Sequence, residues 1–116
     1  MDVDVWVRGT NDAHTESMRG IPDEPSSWTD DDVRTLLTEM LLALERTRNP
    51  DGETPPVVLR GFSWIVSPHE QGVLVHLEMQ MGTASAGPFA IDAEALTEMI
   101  GRVMAHPDYG ASTTVH

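Results

Sequence analysis

Two hydrophobic periods in one short chain restrict what it can fold into. Val33, Leu36, Leu37, Met40, Leu41 and Leu44 recur at i, i+3, i+4, i+7, i+8 and i+11, which lays one continuous apolar stripe along an α-helix. Val73, Val75, Leu77, Met79 and Met81 instead alternate with Leu74, His76, Glu78 and Gln80, the period of a β-strand with one buried face. A chain carrying both has to lay a helix stripe on a sheet face.

The helix is expected over about 30–48. Thr29 is its N-cap, Asp30, Asp31 and Asp32 favour the positive end of its dipole, and Arg46 and Arg48 favour the other. Asn49-Pro50-Asp51-Gly52 ends it. A second helix over about 93–105 starts at Asp92, buries Leu96, Met99, Ile100, Val103 and Met104, and stops at His106-Pro107.

Residues 1–7 read as a strand, with Met1, Val3, Val5 and Val7 on one face and Asp2, Asp4 and Trp6 on the other. Another strand is expected over Val57–Ser67, apolar on both sides: Val57, Leu59 and Ile65 on one, Val58, Phe62, Trp64 and Val66 on the other. Pro68-His69-Glu70-Gln71-Gly72 reads as a longer loop joining it to the strand over 73–81. Residues 82–87 read as a flexible connector, and 86–91 as a possible third strand of this group.

The expected fold is α+β: a two-layer sandwich in the order β-α-β-β-(β)-α, with an antiparallel or mixed sheet and both helices on one face. It forms a single domain over 1–107, with a long polar loop at 8–28 pinned by Met18, Ile21 and Trp28, and a flexible tail over 108–116. The alternative is an α-β-β-β-α core with residues 1–7 as a loose edge or a swapped strand. That order is shared with double-stranded-RNA-binding domains, but the charge has the wrong sign for their function.

Charge narrows the function classes. Among 116 residues, 19 are Asp or Glu and seven are cations, all of them Arg, for a net charge of −12. Phosphate backbones would repel such a chain, so no nucleic-acid partner is expected. With no cysteine there is no disulfide framework, thiolate metal site or thiol nucleophile. With no lysine there is no Schiff base or Walker lysine. No apolar run approaches a membrane span, and the Met-Asp-Val-Asp opening has no signal-peptide character. A cytoplasmic protein without membrane partners is expected. The use of Arg alone also suggests GC-rich codon usage, as in a GC-rich bacterium or phage.

Candidate chemistry is sparse. His76-x-Glu78 places two side chains on one strand face, where they could hold a divalent metal or act as a base and its orienter. Two ligands are too few for a site without help from His69, His14 or an aspartate, so no metal or cofactor is assigned. Asp2-x-Asp4 reads as an edge strand kept soluble by charge. Gly61-Phe62-Ser63-Trp64 lacks the second glycine of a nucleophile elbow. No catalytic residue is assigned.

Interaction is the better-supported theme. If helices cover only one side of the sheet, the other shows Phe62 and Trp64 beside His76 and Glu78, an apolar patch with a polar rim, unless residues 8–28 with Ile21 and Trp28 fold over it. Trp6, on a face with Asp2 and Asp4, completes the interface candidates. The leading expectation is a small acidic protein-interaction module without catalytic activity, self-associating as a homodimer through a sheet face or edge. The alternatives are an acidic inhibitor, immunity protein, chaperone or nucleic-acid mimic engaging a basic partner, and a small metal-binding protein or enzyme built on His76 and Glu78. Residues 1–32 carry nine acids and two Arg, 2 − 9 = −7, so acidity with a function would be sought first over residues 2–24.

Overall fold

In the computed structural model, residues 1–52 and 57–106 are described. The elements are β1 (Asp2–Val7), β2 (Ala13–Ser17), a 3-10 turn (Pro25–Ser27), α1 (Asp30–Arg48), β3 (Ser63–His69), β4 (Gly72–Met79), β5 (Gly82–Phe89) and α2 (Ala93–Ala105). The strands form one antiparallel sheet in the order β2-β1-β5-β4-β3. This is the expected α+β sandwich, with one strand more than the sequence suggests. The tail expected over 108–116 lies outside the described residues.

Both helices begin where their caps predict. The Thr29 hydroxyl accepts from the Asp32 amide while the Asp32 carboxylate accepts from the Thr29 amide, a reciprocal capping box. Asp92 accepts from the Ala95 amide at the start of α2. The α1 stripe is buried together with Leu96, Met99, Ile100 and Val103 of α2. Beneath them lie Val3, Val5, Val75, Leu77, Ala84 and Ala86, the alternate residues of β1, β4 and β5. Each large aliphatic side chain withdrawn from water here contributes about 1.5–3 kcal/mol before entropy is counted.

Four departures from the sequence reading have local causes. Residues 8–28 are not a bare loop: Ala13–Ser17 pair with β1, the Met18 amide donates to the Met1 carbonyl (2.7 Å), and Trp28 packs edge-on against Phe89 at 4.9 Å between ring centres. Alternating Ala, His, Thr, Glu and Ser lack the apolar face that betrays a strand, because β2 is exposed along nearly all its length. Pro68 and His69 belong to β3, which turns into β4 through Glu70-Gln71 alone. Such a two-residue turn closes on a hydrogen-bonded pair, His69 and Gly72, so the next pair, Pro68 and Val73, points its backbone away from the ladder. Proline is tolerated there because β3 is an edge strand.

Residues 82–87 are likewise ordered, forming most of β5, a strand with neighbours on both sides. Its glycines are required by crowding: a Cβ at Gly82 (φ +153°) would run into the Trp6 carbonyl. Finally, residues 57–62 lie outside the sheet, and β3 begins only at Ser63.

Candidate functional site

The helices cover one sheet face, and among the described residues no element covers the other. Residues on that open face follow from the pairing. One row runs Thr15, Asp4, Ser85, His76, Ile65 across all five strands, and the next runs Ala13, Trp6, Thr83, Glu78, Ser63.

The ladder explains which of these side chains touch. The Met18–Met1 bond and the bond from the Arg8 amide to the Met81 carbonyl (2.9 Å) set the alternation. Thr15 opposite Asp4, and Ser85 opposite His76, are therefore non-hydrogen-bonded pairs, whose side chains stand closest. Accordingly the Thr15 hydroxyl donates to the Asp4 carboxylate at 2.7 Å, and His76 Nδ1 lies 2.7 Å from Ser85 Oγ.

His76 and Glu78 do share this face, as their spacing requires, with Glu78 exposed and His76 half-buried. Among the described residues, no three His, Asp or Glu side chains gather closely enough to hold a metal ion. Nor is the row arranged for acyl transfer. A triad needs a carboxylate behind the imidazole, whereas here the hydroxyl of Ser85 stands between Asp4 and His76. His14 is on the opposite face, on the far edge of the sheet, and His69 bonds locally to the Gln71 amide at 3.2 Å.

Asp2, Asp4 and Trp6 stand on the open face as expected. Trp6 donates its indole N–H to the Thr10 carbonyl at 2.9 Å and lies under the Arg8 guanidinium, 5.7 Å from the ring centre. Phe62 and Trp64 do not join them. Trp64 pairs with Leu77 and so faces the helices, while Phe62 lines a cleft of about 400 Å³ with Leu41, Glu45, Met79 and Met81. The apolar side chain that sequence reasoning placed inside and the structure places outside is Ile65, 61% exposed on the open face. The cause lies in residues 57–62, which stand outside the sheet and turn where the Arg60 amide donates to the Val58 carbonyl and again at Gly61 (φ +80°), so the odd-even pattern before β3 does not carry into it.

Several acids are committed locally. Asp30 makes a two-pronged pair with Arg102 (2.8 and 2.9 Å), and that hydrogen bonding holds its carboxyl below the usual range. Glu45 pairs with Arg48 at 2.7 Å, and Glu16 with Arg46 at 3.5 Å.

The edges of the sheet differ. On β2, residues 14, 16 and 18 direct their backbone toward β1, so Ala13, Thr15 and Ser17 direct theirs outward; among the described residues none of these outward amides or carbonyls has a backbone partner. On β3 the outward set is Trp64, Val66 and Pro68, and proline has no N–H to offer.

No protein-family model, curated protein or solved structure matches this chain. No helix among the described residues is long and apolar enough to cross a membrane.

Proposed function

We propose that this chain is a small acidic cytoplasmic protein-interaction module, acting by binding rather than catalysis, and that it self-associates as a homodimer through its sheet. The observation that carries this reading is the sheet itself: five strands with one face uncovered by any described element and one edge strand, β2, whose outward amides and carbonyls have no backbone partner among the described residues. An edge of that kind is a template for another strand.

Size-exclusion chromatography with light scattering tests it. The expected result is a mass near twice 12.7 kDa at micromolar concentration. A strict monomer up to the highest attainable concentration would overturn the reading.

A further inference from the structure

We propose that the β2 edge pairs with the β2 edge of a second copy, antiparallel and centred on Thr15, to make a continuous ten-stranded sheet. This rests on the self-association reading and specifies its site, register and side-chain code.

The outward backbone groups are those of Ala13, Thr15 and Ser17. Two antiparallel copies satisfy all of them only when Thr15 faces Thr15 and Ala13 faces Ser17, which forms six hydrogen bonds. In that register His14 of each copy stands opposite Glu16 of the other, twice, at the closely spaced non-hydrogen-bonded positions where cross-strand pairs interact most. Sliding by one step in either direction sets Glu16 against Glu16 or His14 against His14, and loses hydrogen bonds. Neutral or protonated, the imidazole offers an N–H to the carboxylate.

The charges at this edge differ between its two sides. A chain of net charge −12 repels its own copy over most of its surface. On the helix-facing side of β2, Glu16, Arg19, Glu39 and Arg46, two acids against two cations, gather in one shallow cleft, while Asp4 and Asp2 stand opposite Thr15 and Ser17 on the open side. Glu39 is occupied by the Arg19 amide at 3.0 Å, and Arg46 reaches only one oxygen of Glu16, at 3.5 Å. The other Glu16 oxygen remains for the partner's imidazole. The β3 edge cannot substitute, since Pro68 removes one of its three outward donors. Two-fold symmetry closes the contact, so the pairing stops at a dimer rather than growing into a filament.

Because the natural chain has no cysteine, single cysteines report the register. Facing Thr15 residues would have Cα atoms about 5.5 Å apart, inside the span a disulfide bridges. Oxidised Thr15→Cys is expected to link into a covalent dimer. Ala13→Cys and Ser17→Cys alone are not, because each is displaced from its own copy by about 13 Å along the strand; mixed together, those two are expected to link. Thr15→Pro deletes an outward amide while leaving the ladder to β1 intact, and should weaken dimerisation at least about ten-fold with an unchanged circular dichroism spectrum. If the unmodified chain is a monomer, self-association fails and this pairing fails with it. If the unmodified chain is a dimer that survives Thr15→Pro and shows no Thr15→Cys link, self-association stands and the β2 pairing is overturned.

Discussion

Asp30 shows how one acid can be misjudged from sequence. As the first residue of α1 it suits the helix dipole, yet its carboxylate also grips Arg102 near the end of α2. The pair joins positions 72 residues apart, on surfaces that remain about half exposed. Because hydrogen bonding from Arg102 lowers the carboxyl pKa in the folded state, the stabilisation is present above the unfolded carboxylate pKa. It is lost as pH falls through the folded value. Asp30→Asn is therefore expected to lower the urea midpoint at pH 7, by an amount that shrinks as the pH is brought down through the carboxylate range. Equal losses across that range would show that the carboxylate charge contributes nothing. The side chains at 62–65 teach a related lesson. Trp64 and Ile65 exchange the faces that alternation from Val57 assigns them, because the chain turns at Val58–Arg60 and again at Gly61, whose positive φ no periodicity count registers.

At the scale of elements, helices were legible and strands less so. Helix α1 and helix α2 announce themselves by caps and stripes that agree with each other, so their boundaries follow from Thr29 and Asp92. β2 was invisible because an exposed edge strand has no face to bury. β5 resembles a linker for the opposite reason: Gly82, Ala84 and Ala86 have loose linker composition but are buried in the sheet. Small residues there let α1 approach the sheet closely, and Ala84 is fully buried. Ala84→Leu should overpack this layer and destabilise the fold by about 1–3 kcal/mol, read as a drop in thermal or urea midpoint. A neutral result would mean that the helix layer accommodates the added volume. Of the candidate site, the shared face of His76 and Glu78 followed from the spacing alone. The bond from His76 to Ser85 did not, because it depends on a register between β4 and β5 that only the folded chain reveals.

For the whole molecule, net charge gives a prediction whose sign separates two kinds of partner. Copies that each carry −12 repel one another at long range, and salt screens that repulsion over about 8–10 Å at physiological strength. Self-association is therefore expected to tighten as sodium chloride rises from about 50 to 500 mM. Engagement of a basic partner would weaken over the same range. Sedimentation velocity across a salt series reads the difference directly, and a dimer that loosens with salt would contradict the pairing of two like-charged copies.

The strand order also sets a timetable for synthesis. β1 and β2 can meet as soon as residue 17 is made, but the other neighbour of β1 is β5, whose residues pair with it 75 to 83 positions later. Until β5 follows, β1 lacks its second neighbour in the sheet, and of the two helices only α1 is available to cover Val3 and Val5. Closure of the sheet therefore waits on β5, the last of the five strands to be made. During that interval the hairpin is the segment most in need of a chaperone, and the one whose early capture by another unfinished copy would do most harm.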